Sequence, residues 1–133
     1  MARNNAAIAR PAAGVRLCAV DDIGDPASKA FKFQVDGNIF LALIVRAGDL
    51  LQGYINRCPH DGFPLGYYGT DQLLTGANDR IFCPVHMALF TLDGEGVTDP
   101  CIGMRLTPWE IEVRDGVIYT GEFTPAVVAA TAR

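Results

Sequence analysis

The stretches Cys58-Pro59-His60 and Cys83-Pro84-Val85-His86 each supply one thiol and one imidazole. The chain has only two histidines, and both lie in these stretches, together with two of its four cysteines. Cysteine sulfur and histidine nitrogen are the ligands that proteins offer to zinc and to iron–sulfur clusters. The two stretches therefore predict a metal centre whose ligands are Cys58, His60, Cys83 and His86.

The mixed composition of the two stretches bears on which metal they bind. Structural zinc sites usually take both cysteines from one stretch and both histidines from another. Here each stretch pairs one cysteine with one histidine. That arrangement favours a [2Fe–2S] cluster in which two histidines replace two cysteines on one of the irons. Two alternatives to the cluster remain. One is a zinc-stabilised interaction module, and the other is that four ordinary core residues have this spacing by coincidence.

Composition and charge exclude several other classes. The chain has 133 residues, of which 50% are hydrophobic, so it is expected to be one domain with a real core. Its net charge of −4 argues against a nucleic-acid surface and favours basic protein partners. No apolar run approaches the roughly 20 residues of a membrane span, so we expect a soluble protein. The irregular cysteine spacing does not resemble a disulfide framework and indicates the cytoplasm.

Strand patterns dominate the chain and predict an all-β fold, a small antiparallel sheet assembly or barrel. From Ala30 to Asp36 apolar and polar side chains alternate, and Asp36-Gly37 predicts a hairpin turn. The continuously apolar stretch Ile39 to Val45 is typical of a strand buried on both faces. Leu50 to Asn56 predicts a further strand, and no long helix is expected.

A second hairpin is predicted near the end of the chain. Apolar Trp109, Ile111 and Val113 alternate with charged residues, Asp115-Gly116 predicts the turn, and Val117 to Thr120 the returning strand. Both ligand stretches are expected in loops, because proline and glycine disrupt helices and strand ladders.

At these residues the chain resembles the Rieske ferredoxin family, and more loosely the Rieske domains of ring-hydroxylating oxygenases and of nitrite reductase small subunits. Asn56 to His60 is similar to the first cluster loop, and Cys83 to Phe90 to the second. Thr98 to Gly103 is similar to the proline loop that covers the cluster. The resemblance implies the Rieske fold, with cluster-binding loops at one tip. It implies a domain over residues 14–121 between flexible tails at 1–13 and 122–133.

Several residues depart from the family pattern. Phe63 and Val85 stand where Rieske proteins of membrane complexes have a disulfide, and Ala88 and Phe90 where those proteins have hydroxyls near the cluster. Fewer hydrogen bonds to sulfur imply a potential toward the low end of the Rieske range of about −150 to +300 mV.

Two further residues have open roles. Met87 replaces a glycine that the family uses for a close approach or a positive φ, and its role is either packing or tuning. Cys101 is expected near the cluster, as a redox-sensitive thiol or, by preference, as a small buried hydrophobic residue. Cys18 is expected to be structural.

The resemblance implies an electron carrier with one [2Fe–2S] cluster rather than an enzyme. Its expected partners are a flavin-dependent reductase and a terminal oxygenase, and a monomer is favoured. A nitrite reductase-like subunit is the alternative. A complete oxygenase is not expected, because a mononuclear iron site needs two further histidines.

Overall fold

The computed structural model describes residues 10–60, 65, 73–75, 79–83 and 87–122 of the chain. In this part the all-β prediction is confirmed, and a three-residue 3₁₀ turn, Val20–Asp22, is the helical element of the described residues. The strands are β1 (Arg16–Ala19), β2 (Ala27–Val35), β3 (Asn38–Ala47), β4 (Leu50–Ile55), β5 (Leu74–Thr75), β6 (Arg80–Cys83), β7 (Ala88–Thr91), β8 (Pro108–Trp109), β9 (Ile111–Arg114) and β10 (Val117–Thr120). They form three antiparallel sheets, in the strand orders β2-β3-β4-β8, β1-β10-β9 and β5-β6-β7.

Both predicted hairpin turns are present. Asp36 and Gly37 have φ values of 52° and 82°, and Asp115 and Gly116 have 51° and 75°. Two-residue hairpin turns need positive φ at both positions, and Asp-Gly is well suited to this because aspartate tolerates it and glycine has no Cβ to clash. The first turn joins β2 to β3, and the second joins β9 to β10.

β3 lies between two hydrophobic cores. Its residues Leu43 and Val45 are fully buried in one core, whereas Ala42 and Ile44 are fully buried in the other. Successive side chains of a strand point to opposite faces, so the apolar run fills both cores at once. The prediction of burial on both faces is confirmed for these four residues. Ile39, beside the turn, is instead 59% exposed.

The core that contains Ala42 and Ile44 lies among β2, β3, β8 and the β1-β10-β9 sheet. Trp109 is its centre, with the rings of Phe31, Phe33 and Phe40 at centroid distances of 6.2, 5.9 and 5.8 Å. The buried thiol of Cys18, on β1, belongs to this core. The alternating stretch that begins at Trp109 crosses from one sheet to another, because Trp109 ends β8 and Ile111 begins β9.

The residues just before the expected domain also contact it. Arg10 forms an ion pair with Glu110 at 3.2 Å, and the hydroxyl of Thr120 donates to the carbonyl of Ala12 at 2.6 Å. The bounds 14–121 stay a prediction, and these contacts attach the preceding residues to Glu110, just before β9, and to Thr120, at the end of β10. Residues 1–9 and 123–133 of the two expected tails lie outside the described residues.

Candidate metal centre

The first ligand loop leaves β4 through a buried asparagine. The Asn56 backbone N–H donates to the carbonyl of Leu41 at 2.9 Å, which continues the sheet by one residue. Its side-chain Oδ1 accepts a hydrogen bond of 2.7 Å from the backbone N–H of Leu65, nine residues further on. This buried bond closes the loop that carries Cys58 and His60. The sulfur-bearing Cys58 is 1% exposed, whereas His60 is an exposed residue.

The second ligand stretch begins inside a sheet. The prediction of a loop is wrong for Cys83, because this residue pairs with Ala88, the first residue of β7, and is therefore the last residue of β6. Both are fully buried, as is Phe90 further along β7. The connection between the strands contains His86, which lies outside the described residues together with Pro84 and Val85. Phe63 of the first loop also lies outside the described residues, and Leu65 is fully buried.

The third loop, residues 98–103, is held on both sides. The hydroxyl of Thr98 accepts a hydrogen bond of 2.8 Å from the backbone of Leu89 on β7. Within the loop, the N–H of Cys101 donates to the carbonyl of Thr98, and the N–H of Met104 donates to the carbonyl of Cys101, both at 2.9 Å. The Asp99–Pro100 peptide is cis. The loop therefore has a fixed backbone directly beside the strand that follows the second ligand stretch.

Three thiols lie in one hydrophobic core. Cys58, Cys83 and Cys101 are all buried in the core that also contains Leu43 and Val45 of β3, together with Tyr54 and Phe90. The Sγ atoms of Cys58 and Cys101 lie 3.8 Å apart. The structure thus unites two predicted ligands, Cys58 and Cys83, in one core, and it places Cys101, which the resemblance led us to expect near the cluster, beside Cys58. All four cysteines lie in the described part of the chain, and none is in a disulfide.

Met87 adopts the backbone conformation that the family pattern reserves for glycine. Its φ is +59°, in the left-handed region, and its side chain is 67% exposed. Methionine therefore takes the glycine conformation, and its side chain points outward instead of packing under the loop. The packing role is wrong for this residue, because most of its surface faces solvent.

The core that contains Cys58, Cys83 and Cys101 is predominantly apolar. Burial raises the pKa of the Tyr54 phenol, with a smaller contribution from the charge of Asp93. In the other core, burial and then Asp22 raise the pKa of the Cys18 thiol, which keeps that thiol protonated and unreactive. Within the described ranges, no three His, Cys, Asp or Glu side chains are grouped to hold one metal ion.

The donor set fits a [2Fe–2S] cluster with mixed ligands. Two thiols are buried, one on the first loop and one at the end of β6, and His60 of the first loop is exposed two residues from its thiol. Iron–sulfur clusters are held by thiolates, and in Rieske centres two histidines take the place of two cysteines on one iron.

Among the described residues, no helix has the length and apolar character of a membrane span.

Solved structures share the fold. The ferredoxin of carbazole 1,9a-dioxygenase from Nocardioides aromaticivorans IC177 has 23% identity and a TM-score of 0.59, with 82% of this chain and 97% of that chain covered. The complex of reduced oxygenase and oxidized ferredoxin in carbazole 1,9a-dioxygenase has 24% identity and a TM-score of 0.58, with 80% of this chain and 91% of that chain covered. A putative nitrite reductase NADPH small subunit has 15% identity and a TM-score of 0.54, with 81% of this chain and 97% of that chain covered.

No curated protein matches this sequence. The family model described as Rieske [2Fe-2S] domain matches residues 14–111, which contain all four candidate ligands and the loop of Cys101. The chain belongs to the Rieske [2Fe–2S] domain family.

Proposed function

We propose that this chain is a Rieske-type ferredoxin that carries single electrons from a flavin-dependent reductase to a terminal oxygenase. One [2Fe–2S] cluster would be held by the thiolates of Cys58 and Cys83 and the imidazoles of His60 and His86. The observation that carries the proposal is the union of Cys58 and Cys83 in one buried core, with His60 exposed beside them. Reducing cytoplasm suits four cysteines outside disulfides.

The arrangement separates the two kinds of ligand. The thiols lie in an apolar core that excludes water, while His60 lies at the surface. An exposed imidazole shortens the distance between the cluster and a docked partner, so the histidine side is the proposed electron port. When bound, the cluster supplies the one-electron chemistry, and the chain's own residues hold it and expose one side of it.

The surface beside these loops suits brief encounters with other redox proteins. Met87 and Ile102 are 67% and 61% exposed, and they are sequence neighbours of the buried residues Ala88 and Cys101. Exposed apolar side chains close in sequence to these buried residues favour a docking area of modest size, as weak electron-transfer complexes have. The complex of an oxygenase with a ferredoxin of the same fold supports an oxygenase as the acceptor.

The test is an EPR spectrum of the purified protein after dithionite reduction, with iron and zinc analysis. We expect two irons per chain and a rhombic signal with an average g below the free-electron value. His60→Ala should abolish that signal. Gln34→Ala, a substitution at an exposed position of β2, should leave it intact. A colourless, EPR-silent protein with one zinc would overturn the cluster and favour the zinc-stabilised module.

The partner assignment needs a separate experiment. The reduced protein should be oxidised by a Rieske oxygenase and reduced again by a flavin-dependent NAD(P)H reductase, at rates that fall with rising salt if charged rims steer docking. Stable co-purification with a large catalytic chain, without exchange, would instead favour the nitrite reductase-like subunit.

A further inference from the structure

We propose that the thiol of Cys101 donates a hydrogen bond to the Sγ of Cys58 when Cys58 ligates the cluster, and that this bond raises the reduction potential. The inference rests on the proposed function, because it needs Cys58 as a ligand. Cys101 does not itself bind iron in this scheme. It acts through Cys58 and is a positioning residue.

The distance and burial of the two sulfur atoms support this contact. Their separation of 3.8 Å is within reach of a hydrogen bond between sulfur atoms and far longer than a disulfide bond of about 2.0 Å. Cys58 is 1% exposed and Cys101 is fully buried, so water does not compete at this pair. The contact spans 43 residues of sequence and joins the first ligand loop to the loop of residues 98–103.

Ligation decides which sulfur donates. Between two thiols, either atom can be the donor. A cysteine that binds a metal does so as the thiolate and has no proton to donate. Once Cys58 binds iron, Cys101 is therefore the donor of this pair, and the Cys58 sulfur is the acceptor.

The loop places the Cys101 side chain with little freedom. Its backbone N–H and carbonyl are both used, toward Thr98 and Met104 at 2.9 Å. A Cβ on Gly96 would clash with the Cys101 carbonyl oxygen, so the segment of Gly96, which bridges to Phe90 on β7, touches this backbone directly. A donor fixed in this way does not have to be reoriented when the charge of its acceptor changes.

The expected effect on the potential follows from charge. Reduction adds one negative charge to the cluster and its thiolates, and a hydrogen bond to sulfur is stronger to the more negative state. The bond therefore favours the reduced form and raises the potential. Ala88 and Phe90, at the positions where relatives with high potentials have hydroxyls, supply no such donor, which leaves the weaker thiol donor of Cys101 to act.

The test compares midpoint potentials of cluster-loaded protein in three variants. Cys101→Ala should lower the equilibrium constant for reduction by about three- to tenfold, where tenfold is 59 mV for one electron. Cys101→Ser, which keeps a donor, should recover most of that loss. Cys18→Ala is the matched control, because it removes a buried thiol from the other core and should leave the potential unchanged. An equal loss in Cys101→Ala and Cys101→Ser would assign the effect to packing and overturn the inference.

Infrared spectroscopy tests the same bond without changing Cys101. In cluster-loaded Cys18→Ala protein, the ligating cysteines have no S–H, so the S–H stretching band belongs to Cys101. We expect this band at lower frequency than that of an exposed thiol, and at still lower frequency after reduction. A band that resembles an exposed thiol and ignores reduction would overturn the inference.

The two proposals fail in different ways. A wild-type protein that contains two irons and gives the expected EPR signal, but whose potential is unaffected by Cys101→Ala, would overturn the hydrogen bond alone. A protein without that signal would overturn the proposed function and the inference with it.

Discussion

The phenol of Tyr54 donates a hydrogen bond of 2.7 Å to the carbonyl oxygen of Leu92. Tyr54 lies on β4, just before the first ligand loop, and Leu92 follows β7, the strand that leaves the second ligand stretch. Gly94 packs against the ring, and a Cβ there would lie 2.8 Å from a ring carbon of Tyr54. The bond therefore joins the two strands whose loops carry the candidate ligands.

Removing this hydroxyl should cost stability. Tyr54→Phe leaves the Leu92 carbonyl without its partner in a part-buried setting, and such a loss costs about 1–3 kcal/mol. Urea denaturation of wild type and variant measures the difference. Tyr119→Phe is the control, since its half-buried ring lies over the Arg114 guanidinium at 4.1 Å and keeps that contact without the hydroxyl. Equal destabilisation of both variants would contradict the assignment.

The same phenol should make stability fall at alkaline pH. Burial, and then Asp93, raise the pKa of Tyr54 in the folded state. Below the unfolded pKa of about 10 both states are protonated, and above it the unfolded chain releases the proton while the folded chain retains it. The free energy of unfolding should therefore fall with rising pH above about 10, and fall less in Tyr54→Phe. Parallel curves for wild type and variant would show that Tyr54 does not contribute.

Gly96→Ala should damage the metal centre. A Cβ there would clash with the backbone carbonyl of Cys101, so the loop of residues 98–103 would have to move. Gly103→Ala is the matched control, because it has open space at its Cβ and only its φ of +84° opposes alanine. We expect a loss above about 3 kcal/mol for Gly96→Ala and about 1 kcal/mol for Gly103→Ala. Thermal denaturation and iron content report both effects.

Asn56→Ala should loosen the first ligand loop. The Oδ1 of Asn56 accepts the buried N–H of Leu65, and loss of a buried partner costs about 1–3 kcal/mol. We expect faster release of iron to a chelator, because the loop that carries Cys58 and His60 loses its closure. Gln52→Ala, at a half-buried position of β4, the strand that precedes Asn56, should release iron at the wild-type rate. Unchanged release from Asn56→Ala would mean that other contacts fix the loop.

Added hydroxyls near the second ligand stretch should raise the potential. Ala88 and Phe90 are fully buried in the core that contains Cys83, and Ala88 lies opposite Cys83. Ala88→Ser and Phe90→Tyr place donors there, and hydrogen bonds to sulfur stabilise the reduced cluster. Phe33→Tyr, in the other core, is the control and should have no effect. Voltammetry that shows no shift in either variant would place these positions away from the cluster.

Local chemistry made much of the fold predictable. Asp36-Gly37 and Asp115-Gly116 encode their turns in two residues each, and the apolar run of β3 indicates burial on both faces without reference to distant residues. The ligand stretches were visible because their spacing is local too. By contrast, Cys101 was expected near the cluster only through the family resemblance, because its contact with Cys58 depends on how two loops meet across 43 residues, which no local pattern encodes. The short strand Leu74–Thr75 was not predicted, since two residues show no periodicity.

The position of β3 between the cores has a consequence for insertions and deletions. One extra residue in this strand would turn every following side chain to the opposite face. Leu43 and Val45 would then point into the aromatic core around Trp109, and Ala42 and Ile44 toward the cysteines. A one-residue change in the length of this strand would therefore disrupt both cores at once. A substitution on one face of the strand would destabilise mainly the core on that face.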